Sequence, residues 1–476
     1  MKILFAASEC YPFLKTGGLA DVAYALPKAL RKLGIDARVI LPKYNDIKEE
    51  FKNSMIHKGS FNVPVGWRNK FGGLEYLEYD SVPFYFIDNE YYFKRGGAYG
   101  YYDDGERFSY FSKAILQSIY YMDDFTPDII HCNDWQTAIV PVLLKDLYKD
   151  SQSHRNIKTV YTIHNLKYQG VFGESVLSEL LCLNSGYYNE SALKFYDGVS
   201  FMKGGINYSD RITTVSCSYA SEIQTPEYGE KLDGLLRSQN SKLQGIVNGI
   251  DYDLYNPVVD KDIYVNYDSS SIDKKNINKT RLQKDLGLPE DADIPMIGIV
   301  SRLVSQKGFD LIKCVIEEIL QENLQLVVLG TGEQQYEDMF KFFKWKYPSK
   351  VSANILFDNN LAQKIYAASD LFLMPSLFEP CGIGQLIALR YGSLPIVRET
   401  GGLKDTVHSY NENTCGGNGF SFTNYNAHDM LYTIRRALNF YKNKDIWNKL
   451  VITAMNEDNS WNNSADKYLK LYSEIL

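Results

Sequence analysis

The stretch MIGIVSRLVSQKGFDLIKCVIEEILQENLQLVVLG, residues 296–330, decides the fold class of this chain. Its two apolar runs, Met296–Ser301 and Leu324–Gly330, have the length and composition of buried strands. Between them, Phe309–Leu320 repeats apolar residues at helical spacing after a loop that contains a glycine. A strand, a helix and a second strand in this order predict a βαβ unit with parallel strands.

The same alternation extends in both directions from this unit. Towards the C-terminus we predict the strands Leu371–Pro375 and Leu394–Val397 and the helices Gln335–Lys346, Leu361–Ala367 and Gly384–Tyr391. In the first half we predict the strands Lys2–Ala7, Ala37–Leu41, Asp128–Cys132, Thr159–Ile163 and Arg211–Val215, and the helices Leu19–Leu33 and Trp135–Leu147. We therefore expect an α/β protein with two doubly wound Rossmann-like domains that face each other across a cleft.

One stretch, from Asp251 to Asp293, interrupts this alternation. It is rich in Asp, Ser, Lys and Asn, as in DSSSIDKKNINK, and we interpret it as a surface excursion at the start of the second domain. The predicted N-terminal domain spans residues 1–248 and is completed by a C-terminal helix at 458–476, while the second domain spans 249–457. Ligands of such sheets bind beyond the carboxyl ends of the strands, so the cleft is the expected site.

Composition excludes several classes of protein. A net charge of −7 over 476 residues argues against general nucleic-acid binding as the function. The seven Cys are scattered with no CxxC pair, which argues against a zinc ribbon and indicates thiols in a reducing compartment. The first apolar run ends at Glu9, too early for a signal peptide, and none approaches the ~18 residues of a membrane helix. We expect a cytoplasmic protein with no nucleic-acid or membrane partner.

Motifs for common cofactors are missing. There is no GxGxxG and no P-loop, which argues against a nicotinamide cofactor and against a nucleotide bound as in P-loop enzymes. D-x-D triplets at 251–253, 260–262 and 291–293 could hold a metal, but their number is that expected by chance. We expect neither a metal nor a cofactor. The 37 Tyr fit a carbohydrate surface, although compositional drift explains them as well.

Two loops that follow predicted strands carry cations. Lys15 precedes Gly17 and Gly18 at the start of a helix, where backbone N–H groups favour a phosphate. Arg302 and Lys307 share the loop after Met296–Ser301 and could clamp a diphosphate and stabilise a departing anion. A tight turn with a solvated lysine, or a pair of surface cations, would produce the same patterns.

Polar residues follow other strands. Glu379 lies before Gly382 at a strand–loop–helix junction, where it could bind sugar hydroxyls or stabilise a cationic sugar transition state. Alternatively, it could be an acidic residue that is simply stabilised by the dipole of the following helix. Asp134 and His164 follow two strands of the first sheet and would face one crevice. The candidate sugar and anion contacts near these residues are Trp135 and Asn165 in the first domain, and Cys381 and the glycine turn Thr400-Gly401 in the second.

Taken together, these segments resemble bacterial glycogen synthases and plant starch synthases over nearly the whole chain. The matching pieces are SECYPFLKTGGLADV (8–22), YGYYDDGERFSYFSKA (99–114), NDWQTA (133–138), TIHNLKYQG (162–170), MKGGINYSDRITTVS (202–216), NGIDYDLYNP (248–257), SRLVSQKG (301–308), LMPSLFEPCGIGQLIALRYG (373–392) and RETGGLKDTV (398–407). The resemblance implies a GT-B glycosyltransferase with its active site between two domains. It also implies α-1,4 transfer of glucose from ADP-glucose to glycogen or a malto-oligosaccharide, with retention of configuration.

The resemblance also implies roles for individual residues. By motif, the diphosphate would be bound by Lys15, Gly18, Arg302 and Lys307, and the donor glucose would contact Asp134 and His164, with Trp135, Asn165 and Asn248 nearby. Glu9 would lie near the transferred sugar, and Glu379 would hold a glucose hydroxyl and help stabilise the transition state, so the catalytic residues would be Glu379, His164, Asp134 and Glu9. Phe357 replaces the tyrosine that usually stacks on adenine, and Lys231 and Cys217 replace a Gly and a Pro of the family pattern. We favour front-face attack by the acceptor over a covalent intermediate.

Three alternatives remain open at this point. The chain could be a UDP-glucose enzyme of the sucrose- or trehalose-synthase type on the same fold. It could be a catalytically idle glycan-binding or regulatory protein, although the intact polar residues argue against this. It could also be a glucan phosphorylase, which would need pyridoxal phosphate on a lysine.

Overall fold

The computed structural model describes all 476 residues, and the chain divides into two compact units. Unit 1 comprises Met1–Asn248 and Trp461–Leu476, and unit 2 comprises Gly249–Ser460. The chain thus leaves unit 1 once and returns to it with a last helix that begins at Trp461, three residues later than predicted. None of the helices has both the length and the apolar character needed to cross a bilayer.

Unit 1 contains twelve strands. They are β1 (Lys2–Ala6), β2 (Asp36–Pro42), β3 (Ile56–Val65), β4 (Arg68–Tyr79), β5 (Val82–Asp88), β6 (Ile129–Asn133), β7 (Lys158–Ile163), β8 (Val171–Gly173), β9 (Lys194–Phe195), β10 (Gly198–Ser200), β11 (Arg211–Thr214) and β12 (Leu243–Gly245). Nine form one sheet in the order β12-β11-β7-β6-β1-β2-β5-β4-β3, in which only the β5–β4 and β4–β3 pairings are antiparallel. Strands β8, β10 and β9 form a small antiparallel sheet. The central strands are buried apolar runs, as predicted for a sheet covered on both faces.

The helices of unit 1 follow the strands. They are α1 (Gly18–Lys32), α2 (Glu49–Lys52), α3 (Glu90–Phe93), α4 (Asp104–Ser118), α5 (Asp134–Thr137), α6 (Val140–Leu147), α7 (Phe201–Tyr208), α8 (Cys217–Glu222) and α9 (Asp233–Ser238). The single helix predicted over Trp135–Leu147 is therefore wrong: it is two helices, α5 and α6. Pro141 lies in the first turn of α6, where its missing N–H needs no intrahelical acceptor, whereas inside one continuous helix it would remove a backbone hydrogen bond and crowd the preceding turn.

Unit 2 is a six-stranded, fully parallel sheet with helices between its strands. The strands are β13 (Met296–Val300), β14 (Gln325–Leu329), β15 (Val351–Asn354), β16 (Leu371–Met374), β17 (Leu394–Arg398) and β18 (Phe420–Phe422), in the order β15-β14-β13-β16-β17-β18. The helices are α10 (Lys274–Asp285), α11 (Phe309–Gln321), α12 (Gln334–Lys346), α13 (Asn359–Ala368), α14 (Gly384–Arg390), α15 (Gly401–Thr406), α16 (Ala427–Tyr441) and α17 (Lys444–Asn456); α18 (Trp461–Ser473) follows in unit 1.

The segment predicted as a surface excursion contains a packed helix, so that prediction is wrong for α10. Lys275 and Lys279 of this helix are buried. The Lys275 ammonium donates to the carbonyls of Ala367 and Tyr391 at 2.9 and 3.0 Å, and Lys279 pairs with Asp370 at 2.7 Å. The aliphatic stems of the lysines contribute to the core while their charged ends are satisfied by carbonyls and a carboxylate.

Candidate active site

In unit 1 the polar candidates collect where the strand order reverses. From β1 the chain adds β2 on one side and later adds β6 and β7 on the other, so the topological switch lies between β1 and β6. Glu9 follows β1, Asp134 follows β6 and His164 follows β7. Because β1, β6 and β7 are neighbours, the three residues share one edge of the sheet, which is the usual ligand site of such folds.

Asp134 occupies a strained backbone position with φ of +53°, directly after β6. Its Oδ1 accepts hydrogen bonds from the backbone N–H groups of His164 at 2.8 Å and Asn165 at 3.4 Å. Burial raises the pKa of Asp134 to about 7; these two N–H donors oppose that shift, and the charge of Glu9 adds to it. The carboxyl group therefore gains or loses its proton near neutral pH. Only Oδ1 is used in these two hydrogen bonds, so Oδ2 remains available to a ligand.

The His164 ring is fixed by a residue that the sequence analysis did not single out. His164 Nε2 lies 2.9 Å from Asn133 Oδ1, and Asn133 Nδ2 donates to the carbonyls of Ala6 and His131 at 3.0 and 3.1 Å. Because those carbonyls require the amide nitrogen, Asn133 can only accept from His164, so Nε2 carries the proton. Burial lowers the pKa of His164 to about 3, which keeps the ring neutral and leaves Nδ1 as an acceptor.

The loop after β1 holds a second carboxyl group. Glu9 is buried, and its Oε2 accepts from both the backbone N–H (2.7 Å) and the hydroxyl of Thr16. Burial raises the pKa of Glu9, and the Thr16 contacts oppose that shift. Helix α1 begins at Gly18, whose N–H is among the first-turn donors that lack an intrahelical partner. Lys15 stands before this terminus and pairs with Asp21 at 2.7 Å.

The other candidates of unit 1 differ in their surroundings. Trp135 packs edge-on against Phe108 at 5.1 Å and also contacts Phe172 at 5.6 Å, so its ring is held in an aromatic cluster. Asn165 forms the turn after His164, where its Oδ1 accepts from the backbone of Lys167. Asn248 is buried, and its Oδ1 has no hydrogen-bond partner in the protein. A buried, unpaired acceptor suits a residue that binds a hydroxyl of a ligand.

In unit 2 the site again lies at a switch point. Strands β14 and β15 extend the sheet to one side of β13 and β16 to the other, so the switch falls between β13 and β16. Lys307 follows β13 and Glu379 follows β16; their side chains form an ion pair of 2.5 Å, and Ser376 donates to the same carboxylate oxygen at 3.1 Å. Glu379 is only 7% exposed, so its carboxylate is held in a defined orientation.

Glycines make this arrangement possible. Gly308 has φ of +77°, and a Cβ there would lie 2.0 Å from the carbonyl oxygen of Pro375, so only glycine fits beside Lys307. Gly401 has φ of +46°, and a Cβ would lie 2.0 Å from the carbonyl oxygen of Glu379. The N–H of Gly402 donates to that same carbonyl at 3.1 Å. The turn after β17 thus supports the backbone of Glu379.

The remaining candidates of unit 2 vary in exposure. Thr400 and Cys381 are buried in the loops that hold Glu379, and Gly382 has φ of +77°. The side chain of Arg302 is exposed in the loop after β13. Phe357 is 82% exposed, just before Asp358, the N-cap of α13. These last two side chains are accessible to a ligand.

The D-x-D triplets have a local structural role. In each one the first aspartate accepts a hydrogen bond from the backbone N–H two residues later: Asp251 from Asp253, Asp260 from Asp262 and Asp291 from Asp293, at 2.8 to 2.9 Å. These are Asx-turns, in which one carboxylate is occupied by its own backbone. Elsewhere in the chain no group of three or more His, Cys, Asp or Glu is arranged to hold a metal ion.

Sequence reasoning missed the residues that position the candidates. Asn133 orients His164, Thr16 holds Glu9 and Ser376 holds Glu379. Each of the three lies within one of the quoted motifs, close in sequence to the candidate that it contacts. That closeness in sequence could have identified them as positioning residues. Which hydroxyl or amide meets which side chain depends on the local backbone, which sequence spacing does not specify.

Comparisons with known proteins agree with this architecture. The family profile for the starch synthase catalytic domain matches residues 2–238, and that for glycosyl transferases group 1 matches residues 278–449. Curated relatives named glycogen synthase include those of Clostridium acetobutylicum, 70% identical over 100% of both chains, and Caldicellulosiruptor bescii, 58% identical over 100% of both chains.

Two solved structures extend the comparison. The catalytic domain of starch synthase IV from Arabidopsis thaliana, bound to ADP and acarbose, is 36% identical with a TM-score of 0.93, and the match covers 100% of this chain and 99% of that one. Sucrose-phosphate synthase from Thermosynechococcus elongatus has a TM-score of 0.64 at 16% identity, covering 100% of this chain and 98% of that one, and shows the fold alone. The predicted fold class, two Rossmann-like α/β domains of the GT-B type, is confirmed. The chain belongs to the glycogen synthase and starch synthase family of glycosyltransferases.

Proposed function

We propose that this glycosyltransferase is a glycogen synthase that transfers glucose from ADP-glucose to the non-reducing end of an α-1,4-glucan, with retention of configuration. The observation that carries the proposal is the Lys307–Glu379 pair at the switch point of unit 2, with Arg302 in the same loop. A cation and a fixed carboxylate at one locus suit a reaction in which a diphosphate departs from a sugar. The names of the relatives and the ligands of the starch synthase IV structure support this donor and acceptor.

Cations would stabilise the leaving group. Arg302 and Lys307 bind the diphosphate of ADP, with Lys15 and the N–H of Gly18 as further donors to it. Lys15 would exchange its present partner, Asp21, for the phosphate. Phe357 retains an exposed aromatic ring for the adenine, although it lacks a hydroxyl. Charge on the departing ADP is thus met by fixed donors without a metal ion or a cofactor.

The glucose would be oriented by unit 1. With its pKa near 7, Asp134 can accept or donate a hydrogen bond to a sugar hydroxyl. His164 offers Nδ1 as an acceptor, because Asn133 occupies its Nε2 proton. Glu9 would lie near the transferred sugar, and Glu379 would hold a glucose hydroxyl and stabilise positive charge that develops on the ring. We propose that the acceptor hydroxyl attacks from the face that ADP leaves.

A direct assay separates this proposal from its alternatives. Purified chain is incubated with glycogen or malto-oligosaccharides and either ADP-glucose or UDP-glucose, and the anomeric configuration of the new bond is read by NMR. Transfer from ADP-glucose with an α-linked product is expected. A clear preference for UDP-glucose would favour a sucrose-type enzyme, no transfer from either donor would favour an idle glycan-binding protein, and a Schiff-base absorption band would indicate a phosphorylase.

A further inference from the structure

Lys113, on helix α4 of unit 1, has a buried charge without a carboxylate partner. The residue is only 2% exposed. Its ammonium group donates to two acceptors, the carbonyl oxygen of Pro64 at 2.8 Å and the Sγ atom of Cys182 at 3.0 Å. A buried cation without an anion is unfavourable, and a negative charge on the Cys182 sulfur would supply the missing partner. The contact therefore favours the thiolate form of Cys182.

The backbone around Cys182 holds its sulfur in this position. Cys182 ends a five-residue π-helix, Leu177–Leu181, and has a left-handed φ of +59°, which is uncommon for any residue except glycine. The turn between β3 and β4 packs on the same π-helix, since a Cβ on Gly66 would lie 2.0 Å from the carbonyl oxygen of Glu179. Cys182 is nevertheless exposed. Its thiol is thus accessible from solvent and in contact with a buried cation.

Other cysteines of the chain lack one of these two conditions. Cys10 and Cys132 are buried, and burial raises the pKa of both thiols, so they stay protonated. Cys314 is exposed on α11, but its sulfur has no hydrogen-bond partner. A reactive cysteine needs both access for the reagent and a nearby positive charge that stabilises the thiolate, and Cys182 has both.

We propose that Cys182 and Lys113 form a site of oxidative modification, in which a hydroperoxide oxidises the sulfur and the lysine then closes a sulfenamide bridge to it. In the first step the Cys182 thiolate attacks one oxygen of hydrogen peroxide and the O–O bond breaks. The products are a sulfenic acid and a hydroxide ion. The sulfur loses two electrons, and the peroxide gains them.

The second step uses the amine of Lys113. Burial lowers the pKa of Lys113, and the contact with Cys182 opposes that shift, so the ammonium group gives its proton to the hydroxide once the thiolate charge is gone. The free amine lies 3.0 Å from the sulfur and attacks it, the S–O bond breaks, and the leaving hydroxide takes a proton from the nitrogen. One thiolate, one ammonium group and one peroxide give one S–N bond and two waters.

The bridge would join α4 to the end of the π-helix, between residues that are 69 positions apart in the sequence. It would protect the sulfur from irreversible oxidation to a sulfinic acid, and an added thiol would reverse it. Neither Lys113 nor Cys182 is among the candidate catalytic or ligand-binding residues. The modification site is therefore separate from the proposed transfer reaction and does not depend on the donor or the acceptor.

The test treats the reduced full-length chain with hydrogen peroxide at neutral pH. Remaining thiols are blocked with N-ethylmaleimide at intervals, and the digested peptides are measured by mass spectrometry. We expect the Cys182 thiol to be lost at least about tenfold faster than the Cys314 thiol. We also expect a cross-linked pair of peptides, one with Lys113 and one with Cys182, whose mass is two hydrogen atoms below the sum of the two. Dithiothreitol should separate the pair.

Three variants separate the two roles of the lysine. Lys113→Arg keeps a cation but removes the amine, so Cys182 should still be oxidised quickly, and dimedone should trap its sulfenic acid without any cross-link. Lys113→Met removes the cation as well, and oxidation of Cys182 should slow to the rate of Cys314 in the wild type. The matched control, Cys314→Ser, removes the other exposed thiol and should change neither the rate at Cys182 nor the cross-link.

Three results would overturn the proposal. The first is equal oxidation of Cys182 and Cys314 in the wild type, a comparison that needs no variant to fold. The second is a sulfenic or sulfinic acid at Cys182 in the wild type with no cross-link to Lys113, which would exclude the bridge. The third is an unchanged rate at Cys182 in Lys113→Met, provided that its circular dichroism spectrum matches the wild type. That outcome would show that the lysine does not activate the thiol.

Discussion

Asn133 Oδ1 accepts a hydrogen bond from His164 Nε2 at 2.9 Å, and this contact sets which nitrogen of the ring carries the proton. Asn133→Ala should release the ring and leave the buried carbonyls of Ala6 and His131 without their donor. We expect the free energy of unfolding to fall by about 1–3 kcal/mol and kcat to fall with it. Nitrogen-15 chemical shifts of labelled histidine would report the tautomer directly.

A control separates loss of the tautomer from general damage to the turn. Thr137→Val also perturbs this turn, since Thr137 Oγ1 contacts the backbone N–H and carbonyl of Asn133, but it leaves the amide in place. It should lower stability without altering the His164 signals. If Asn133→Ala kept the Nε2–H tautomer, the positioning role would be wrong.

The pKa of Asp134 predicts a pH-dependent stability. Burial raises it from the ordinary value of 3.8 to about 7, so the folded state binds a proton more tightly than the unfolded state. This stabilising contribution is complete below pH ~4 and is lost as pH rises towards 7 and above. Asp134→Asn removes the charge, so it should stabilise the protein by about 4 kcal/mol at pH 8 and by little at pH 4. Thermal melts of both proteins across this range test it; a constant difference would contradict it.

The Lys307–Glu379 pair predicts that stability and catalysis can be separated. Lys307→Met leaves a buried carboxylate unpaired and should cost about 2–3 kcal/mol of stability and ~10²–10³-fold in kcat. Adding Glu379→Gln should restore most of the stability but none of the activity.

Arg302→Ala, on an exposed side chain, should lower kcat by a similar factor without loss of stability. Near-wild-type kcat in Lys307→Met and Arg302→Ala would contradict the diphosphate assignment.

Lys231, which replaces a glycine of the family pattern, has φ of +69°. A lysine in the left-handed region is strained, whereas glycine adopts it readily. Relief of this strain in Lys231→Gly should stabilise the protein by a net amount of about 0.5–1 kcal/mol. The greater conformational entropy of glycine in the unfolded chain opposes part of the gain. Chemical denaturation measures this, with Lys261→Gly, at a position without positive φ, as a control that should not stabilise.

Removal of divalent ions should leave the proposed reaction unaffected. In the proposal, lysine and arginine side chains take the place of a metal ion. In each D-x-D triplet the first carboxylate already accepts a hydrogen bond from the backbone N–H two residues later. We expect the initial rate to be the same with and without excess EDTA. A complete loss that Mg²⁺ or Mn²⁺ restores would refute the metal-free mechanism.

The parallel core could be predicted because its strands are short, continuous apolar runs. β13, β14 and β16 each lie within a residue or two of their predicted bounds. The long strands β3 and β4 escaped prediction, since they pair antiparallel at the sheet edge and interleave polar with apolar residues, many of which are exposed in β3. Helix α10 escaped it for another reason: hydropathy scores its lysines as exposed, although Lys275 and Lys279 end on buried carbonyls and a carboxylate.

The candidate site was predictable as a set of strand ends, but its internal geometry was not. The shared edge of Asp134 and His164 follows from adjacent parallel strands. The positive φ of Asp134 does not, because nothing in the local sequence marks that residue for it. For Gly401 the sequence does reveal the local feature, a glycine turn. Its role of supporting Glu379 could not be predicted, because that role depends on packing between the loops that follow two different strands.

The return of α18 to unit 1 gives the molecule an unusual order of assembly during synthesis. Tyr472 donates to or accepts from buried His131 at 2.6 Å, so unit 1 is not complete until the ribosome has passed residue 472. The 212 residues of unit 2 are translated before α18, which takes roughly 10–40 s at typical rates of synthesis. The unit that begins first therefore finishes last, and during that interval the surface that α18 will cover is open to chaperones.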